Sequence, residues 1–329
     1  SDLEKKYVLE ALNNEFRTSL KDKFANKLEQ EFAEKFNCSF AISHVNGTAT
    51  MHTALAALGV GEGDEVIVPP LTMSSTALSV LQNQSIPVFA DVDNNTFNID
   101  PSAIKKNITP KTKAVITVAL YGLSPDYDKI KKICQEHNLF LIEDNAECFL
   151  GYYGNKMVGS FGDFSSFSFQ ASKHMTCGEG GILLTNNEDL ADKARRFSSL
   201  GYAGISGKKG KISKSDIQDP NYDRHLTLGF NYRMTDLQAA LGLSQMNRLS
   251  EFVSGRHKIA ERYDFLLKDL PVQTPYQICK TYSGLHLYVI QLHLDKISLS
   301  HREVFEELRA KKEHLIWKQV TRARARKGQ

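Results

Sequence analysis

Apolar residues recur along the chain with two different periods. Near the N-terminus, Phe24, Leu28, Phe32 and Phe36 stand four positions apart, which predicts one apolar stripe on an amphipathic helix. A first amphipathic helix is predicted before it. Further along, short apolar runs typical of buried strands alternate with helical stretches. The predicted strands lie at residues 40–45, 65–68, 86–90, 114–118 and 139–143, with helices at 51–58, 72–82 and 126–137 between them.

This alternation predicts βα units, and therefore a largely parallel sheet with helices on both faces, the α/β class. Residues 164–169 and 180–185 are predicted to be two further strands, paired like a hairpin, with Lys173 in the connection between them. Because ligands of such sheets sit at the carboxyl ends of the strands, polar residues that follow strands are the candidates for a site.

The last third of the chain predicts more helix and a second, smaller unit. A glycine-, lysine- and serine-rich stretch at 201–224 is predicted to be a long excursion from the sheet. The remaining predicted elements are helices at 189–200, at 235–249 and from there to about 270, then a linker with two prolines, a strand at 285–292 and a helix at 300–311.

Composition narrows the class of protein. Of the 329 residues, 41% are hydrophobic and 24% charged, and the net charge of +3 does not indicate a nucleic-acid binder. The five cysteines are scattered without a CxxC pair, which argues against a zinc site or a disulfide framework and for a cytoplasmic protein. We therefore expect no metal. We also expect no signal peptide and no membrane-spanning segment, because no apolar run is long enough for either.

Candidate chemistry follows three of the predicted strands. Gly47 and Thr48 lie in a strand–glycine–helix turn, which can point free N–H groups at an anion; the alternative is an ordinary turn capped by Thr48. Asp144 ends the strand at 139–143. Lys173 lies among small polar residues and glycines, and a partly desolvated lysine can form a Schiff base. These residues together predict a pyridoxal phosphate (PLP) site; the alternative is a surface lysine and a helix-capping aspartate.

Six motifs, each weak alone, occur together over about residues 20–310. They are Asn46-Gly47-Thr48-Ala49, Gly61-x-Gly63-Asp64-Glu65-Val66, Glu143-Asp144-x-Ala146-Glu147, Ser168-Phe169-x-x-x-Lys173, Gly178-Glu179-Gly180-Gly181 and Asn231-Tyr232-Arg233-Met234. In this order and spacing the chain resembles the DegT/DnrJ/EryC1/StrS family of nucleotide-sugar aminotransferases, which are PLP-dependent enzymes of fold type I.

The resemblance implies an aspartate aminotransferase-like fold with a mostly parallel, seven-stranded sheet. It implies an N-terminal helical segment at residues 1–20, a large PLP-binding domain at 21–250 and a small C-terminal α+β domain at 251–329. After Lys311 the chain departs from the family pattern and ends in a basic tail, beginning at about residue 312. We therefore expect the small domain to be incomplete, through truncation or a changed reading frame, and the tail to be a solvated end.

The resemblance also implies roles around the cofactor ring. Lys173 would form the Schiff base and later act as general acid and base in the proton shift. Asp144 would pair with the pyridine nitrogen. Glu147 would lie near the ring hydroxyl, where many members have Gln. Met73 stands where members usually carry a ring-stacking aromatic residue, and its thioether can contact a ring face.

For the phosphate, the resemblance implies backbone N–H groups of Gly47, Thr48 and Ala49 together with the hydroxyl of Ser168. Asn231 would reach the phosphate of the partner subunit, which implies a homodimer with a shared site. The implied partners are thus a second copy, a nucleotide sugar and glutamate, with neither nucleic acid nor membrane.

Three functions are compatible with this sequence. The first is transfer of an amino group, from glutamate, to a keto group of a nucleotide-linked deoxy sugar in cell-surface polysaccharide, lipopolysaccharide or secondary-metabolite biosynthesis. The second is the same chemistry on a keto-cyclitol or an aminobenzoate-type precursor. The third is a degenerate, non-catalytic family member, an alternative motivated by the altered C-terminus.

Overall fold

The computed structural model describes residues 1–14, 23–207, 215 and 218–310. Its helices are α1 (Asp2–Asn13), α2 (Lys23–Phe36), α3 (Gly47–Ala57), α4 (Ser75–Gln82), α5 (Pro101–Asn107), α6 (Tyr127–His137), α7 (Glu188–Phe197), α8 (Asp236–Met246), α9 (Leu249–Leu267) and α10 (His301–Ala310). Its strands are β1 (Phe40–His44), β2 (Glu65–Val68), β3 (Ile86–Phe89), β4 (Thr112–Val118), β5 (Phe140–Asp144), β6 (Tyr152–Tyr153), β7 (Lys156–Met157), β8 (Phe164–Ser168), β9 (Gly181–Thr185), β10 (Val272–Gln273), β11 (Thr281–Tyr282) and β12 (Gln291–Leu292).

The central sheet has seven strands in the order β1-β9-β8-β5-β4-β2-β3. β9 runs antiparallel to both of its neighbours, and the other neighbouring strands pair in parallel. The prediction of an α/β fold with a mostly parallel seven-stranded sheet is confirmed, as is the antiparallel pairing of β8 with β9. The carboxyl ends of β1, β2, β4, β5 and β8 consequently meet at one edge of the sheet.

Helices cover both faces of the sheet because the strand residues alternate between two apolar layers. In β4, Ala114 and Ile116 pack in one cluster with α3 and α7, whereas Val115 packs in another with α5 and α6. This two-sided burial explains why the strands are continuous apolar runs in the sequence.

Helix α2 packs in a third apolar cluster, which also contains Ala41 of β1 and Ile182 and Leu184 of β9. Phe24, Leu28, Phe32 and Phe36, the predicted stripe, are at most 2% exposed. They lie in one cluster with α8 and with Phe167 of β8. The helical period in the sequence therefore identified the buried face correctly.

The predicted strand at 285–292 is wrong except for Gln291–Leu292, which pairs with β10. Leu285 has a φ of 48°, in the left-handed region, which interrupts an extended strand. The N–H of Gly284 donates to the carbonyl of Gly122 (2.9 Å) and that of His286 to the carbonyl of Tyr121 (2.9 Å). The segment is thus fastened beside β4 and contributes to the site instead of forming a strand.

The predicted basic tail, from about residue 312, and residues 208–214 and 216–217 of the 201–224 excursion lie outside the described residues. Within the ranges the structure describes, none of the helices has the length and apolar character that a bilayer crossing requires. Nor do any three His, Cys, Asp or Glu side chains in those ranges come together as a metal site.

Candidate active site

A cavity of about 550 Å³ opens at the carboxyl edge of the sheet. Its size is that of a small-ligand pocket. Seven of the nine site residues predicted from the sequence line it: Gly47, Thr48, Met73, Asp144, Glu147, Ser168 and Lys173. The other two, Ala49 and Asn231, are not among its lining residues.

The N-terminus of α3 forms one wall of the cavity. Asn46, not Thr48, caps this helix: its side chain accepts the N–H of Ala49 (2.8 Å), so that donor is already used. The first turn contains Gly47 and Thr48, whose N–H groups have no partner within a helix. A Cβ on Gly47 would stand 2.9 Å from the Cβ of Ser168, so only glycine lets the backbone approach this serine. The arrangement is an anion cradle at a helix N-terminus.

Asp144 ends β5 and is 4% exposed. The hydroxyl of Thr76 donates to its Oδ2 (3.1 Å), and the N–H of Ala146 donates to its Oδ1 (3.2 Å). Burial raises the pKa of Asp144, while the Ala146 N–H, the Lys173 charge and the Thr76 hydroxyl act in the opposite direction. The side chain is held in one orientation at the cavity wall and is not a helix cap.

Lys173 lies in the connection between β8 and β9, where its N–H donates to the carbonyl of Gln170 (2.9 Å). Its side chain is only 11% exposed, which excludes the alternative of a surface lysine. The Nζ atom is 3.5 Å from Oε1 of Glu147. The amine thus faces the cavity and has a carboxylate beside it.

Glu147 joins three parts of the site. Its Oε2 accepts the N–H of Tyr121 (2.8 Å), and its Oε1 lies near Lys173 and 3.8 Å from Nε2 of His286. The Glu147 side chain is 6% exposed. The connection after β4, the lysine loop and the segment at 283–287 therefore meet at one buried carboxylate.

Two of the predicted site residues, Met73 and Asn231, are exposed. Met73 is 58% exposed and lies at the rim of the cavity. Asn231 is exposed and forms an isolated bridge with Ser199, while the next residue, Tyr232, accepts the N–H of Val45. Asn231 is therefore close to the end of β1 but outside the cavity of its own chain.

Sequence reasoning missed Thr76, Arg256 and His286 as cavity or site residues. Thr76 touches Asp144, and Arg256 and His286 line the cavity from α9 and from the segment that follows β11. A signal for Thr76 existed, because its helix follows β2 at the ligand-binding edge. Arg256 had no such signal, since it stands within a predicted amphipathic helix among other charged residues.

PLP fits these residues. The α3 terminus and Ser168 offer donors to a phosphate, Asp144 offers a buried carboxylate to a ring nitrogen, and Lys173 offers an amine to an aldehyde. Because Gly47 has no side chain, its backbone can lie against Ser168, and the cradle at the start of α3 stays open. Among the described residues, no group of three or more His, Cys, Asp or Glu side chains could hold a metal ion.

Comparison with known proteins supports this assignment. The model of the DegT/DnrJ/EryC1/StrS aminotransferase family matches residues 1–315. The spore coat polysaccharide biosynthesis protein SpsC of Bacillus subtilis (strain 168) is 40% identical over 266 residues, which cover 80% of this chain and 66% of SpsC. GDP-perosamine synthase of Escherichia coli O157:H7 is 40% identical over 260 residues, which cover 79% of this chain and 67% of that enzyme. The chain thus spans about two thirds of the length of these relatives.

Comparison of the fold with solved structures also finds aminotransferases. The X-ray structure of the aminotransferase from Psychrobacter cryohalolentis superposes with a TM-score of 0.84 at 30% sequence identity, over 94% of this chain and 80% of that one. The chain belongs to the DegT/DnrJ/EryC1/StrS aminotransferase family, whose members depend on PLP.

Proposed function

We propose that this chain is an aminotransferase that moves an amino group from glutamate to a keto group of a nucleotide-linked deoxy sugar. The observation that carries the proposal is the convergence of Lys173, Asp144 and the α3 N-terminus on one cavity. The two curated relatives, a GDP-perosamine synthase and a spore coat polysaccharide biosynthesis protein, support a nucleotide-sugar substrate and a place in cell-surface polysaccharide synthesis.

In this proposal Asp144 tunes the cofactor. Bound PLP supplies an electron sink for the carbanion that forms at the amino-bearing carbon. Asp144 would hold a proton on the pyridine nitrogen, and the hydrogen bonds from Thr76 and Ala146 fix the orientation of its carboxylate at the cavity wall. The low exposure of Asp144 strengthens this pairing, because water does not screen it.

Lys173 moves the proton in this proposal. Its amine would take the proton from the amino-bearing carbon of the donor and return it two atoms away, across the nitrogen, as the general acid and base of a 1,3 shift. Glu147 lies 3.5 Å from that amine and orients it. Glu147 would also lie near the ring hydroxyl of the bound cofactor, and the hydrogen bond from the Tyr121 N–H fixes its carboxylate in place.

Binding and orientation of the cofactor fall to the remaining cavity residues. Gly47 and Thr48 would donate N–H groups to the phosphate, and Ser168 would donate its hydroxyl. Met73, at the rim of the cavity, would cover a ring face. Ala49 was also expected to bind the phosphate, but its N–H donates to Asn46, which leaves Gly47 and Thr48 as the donors of the first turn.

We further propose a homodimer in which Asn231 reaches the phosphate in the partner subunit. Asn231 is exposed and outside its own cavity. Large apolar side chains next to it are exposed as well: Leu226 by 55%, Leu228 by 83% and Phe230 by 39%. An apolar patch beside a polar residue of this kind is typical of a subunit interface.

We also propose that the protein is cytoplasmic. Free thiols at all five cysteines support this location.

The test is a spectral titration of the PLP-loaded protein with glutamate. We expect the visible band of the lysine-bound cofactor to decline as the amine form of the cofactor accumulates, and a nucleotide-linked keto sugar to restore the band. Glutamate that leaves the spectrum unchanged would support the non-catalytic alternative. Restoration by a keto-cyclitol or an aminobenzoate precursor, and not by keto sugars, would favour the second candidate reaction.

A further inference from the structure

Tyr232, the residue after Asn231, is held on three sides. Its N–H donates to the carbonyl of Ser198 (3.0 Å), its carbonyl accepts the N–H of Val45 (2.9 Å), and its hydroxyl lies 3.0 Å from Nδ1 of His52. The first two hydrogen bonds fix the backbone of Tyr232, and the third fixes its side chain. Asn231 is exposed and directly adjoins this anchored residue.

His52 belongs to α3, the helix whose first turn forms the anion cradle. It lies in the second turn of that helix and is 3% exposed. Burial lowers the pKa of His52, so the imidazole is neutral at pH 7. A neutral imidazole and a phenol pair as one donor and one acceptor. The cradle and the segment that carries Asn231 are therefore joined through a single side-chain hydrogen bond.

Aromatic rings surround this hydrogen bond. The centroid of the His52 ring is 5.1 Å from those of Phe197 and Phe230, in T-shaped contacts. The Phe230 ring stacks on Tyr232, with centroids 5.2 Å apart and an interplanar angle of 16°. Phe230 is also 39% exposed and belongs to the apolar patch beside Asn231. The packing thus runs from α3 to the surface that a second copy would cover.

We propose that His52 is a positioning residue for the site of the partner subunit: through Tyr232 it holds Asn231 where Asn231 reaches the partner's phosphate. This inference rests on the shared site of the proposed function. Each α3 would then serve two sites, its own through the N–H groups of its first turn and the partner's through His52.

The alternative is that the bond between His52 and Tyr232 only stabilises α3 and its own cradle. The two roles differ in which site is weakened when the bond is lost. A less stable α3 weakens the site of the chain that carries the substitution, whereas a misplaced Asn231 weakens the site of the partner. Mixed dimers in which only one chain contains Lys173 distinguish these results.

The test uses mixed dimers that carry a different affinity tag on each chain and are purified on both tags. One chain always has Lys173→Ala, so the visible band of lysine-bound PLP reports the site of the other chain alone. Tyr232→Phe, which removes a single hydroxyl, is placed on either of the two chains. The PLP concentration that gives the half-maximal band is measured for each arrangement, and the measurement needs neither an amino donor nor a keto sugar.

We expect Tyr232→Phe on the Lys173→Ala chain to raise the half-maximal PLP concentration about three- to tenfold, the range for one neutral hydrogen bond. The same substitution on the chain with Lys173 should leave that concentration unchanged. His52→Phe, which keeps an aromatic ring at that position, should give the same pattern. Because both variants remove one bond, the two substitutions together on one chain should do no more than either alone.

Two further variants calibrate the measurement. Tyr263→Phe, at a position on α9 that is 44% exposed, should change nothing in either arrangement. Asn231→Asp on the Lys173→Ala chain should weaken PLP binding in the other chain, as the direct loss of the shared contact. If Tyr232→Phe does not fold, His52→Phe alone decides between the two roles.

Each contrary result has a distinct meaning. If Asn231→Asp weakens PLP binding in the partner's site but Tyr232→Phe and His52→Phe do not, the positioning role is overturned and the shared site stands. A loss that is as large in a variant chain's own site as in its partner's assigns the bond to the stability of α3 and also overturns the proposal. If Asn231→Asp has no effect, or if no mixed dimers form, the shared site of the proposed function is itself contradicted, and the positioning role with it.

Discussion

At the scale of single residues, Asp144 shows how the site exchanges stability for function. Burial opposes its charge, and the hydrogen bonds from Thr76 and Ala146 offset only part of that cost, so the pKa of Asp144 is raised. A cation placed against the carboxylate, such as a protonated ring nitrogen, would remove the remaining cost. The charge of Asp144 thus lowers the stability of the folded protein alone and is stabilised when a cationic ligand group binds beside it.

This raised pKa gives the first prediction. A carboxyl whose folded pKa is raised stabilises the fold below its unfolded pKa of about 4, and that contribution is lost as the pH rises through the folded pKa. In protein stripped of cofactor, Asp144→Asn should therefore melt above the wild type at neutral pH, and the difference should shrink as the pH falls toward 4. Thermal melts across this pH range measure it.

The control for this measurement is Asp269→Asn, because the Asp269 side chain is 87% exposed. It should change the melting temperature little at any pH. A difference between Asp144→Asn and the wild type that stays constant with pH, or that grows as the pH falls, would contradict the assignment.

The residues around Asp144 also show what sequence reasoning reaches at this scale. Lys173 and Asp144 were identified because each follows a strand and stands in a motif. Arg256 and His286 were not identified, because they reach the cavity from outside the sheet. The hydrogen bonds that hold His286 and Gly284 at residues 121 and 122 join parts of the chain that are far apart in sequence. Contacts of this kind leave no local pattern.

At the scale of elements, the start of α3 depends on one glycine. Gly47→Ala adds a Cβ at 2.9 Å from the Cβ of Ser168, closer than two such atoms can stand, and the neighbour belongs to the buried strand β8. We predict that the variant loses about 1–3 kcal/mol of unfolding free energy through overpacking. Because α3 must move away from the cradle, PLP should bind roughly tenfold more weakly.

Gly61→Ala is the matched control for this substitution, because no atom lies within 4 Å of the added Cβ. It should change the unfolding free energy by no more than about 1 kcal/mol and leave PLP affinity as it is. Calorimetric titration with PLP, together with denaturant unfolding, separates the two variants. Equal affinities would show that the Gly47 backbone does not hold the phosphate.

Most elements of the central sheet were predictable because the period of apolar residues differs between strand and helix. The ends of elements were less so: α3 was expected from residue 51 but begins at Gly47, since Asn46 caps it. Helix α5 was not predicted, although Asp100 and Pro101 form a start signal, because the helix covers only Pro101–Asn107. Most of the strand expected at 285–292 does not form, because the backbone there is hydrogen-bonded to residues 121 and 122, a tertiary contact.

At the scale of the whole molecule, the proposed dimer makes the site a property of two chains. Each cavity would take Lys173 from one subunit and Asn231 from the other. The exposed apolar residues Leu226, Leu228 and Phe230 would be covered in the same contact. The parallel sheet and its carboxyl-edge cavity were predictable from the sequence, whereas the surface that Asn231 meets depends on the second copy.

Mixing two inactive variants tests the shared site. Lys173→Ala lacks the reacting amine, and Asn231→Asp sets a negative charge against the phosphate. After unfolding and refolding together, half of the dimers should be mixed, each with one intact site, so about a quarter of the wild-type activity should return. Each variant refolded alone is the control. Absence of recovery from mixed dimers would place Asn231 outside the partner's site.

The central claim is that Lys173 is the amine that holds PLP. The most direct measurement is borohydride reduction of the PLP-loaded protein, followed by proteolysis and mass spectrometry of the peptides. We predict one stable pyridoxyl-phosphate addition, on the peptide with Lys173, and none on the same peptide of Lys173→Ala. Addition at another lysine, or no addition to protein that has bound PLP, would contradict the account.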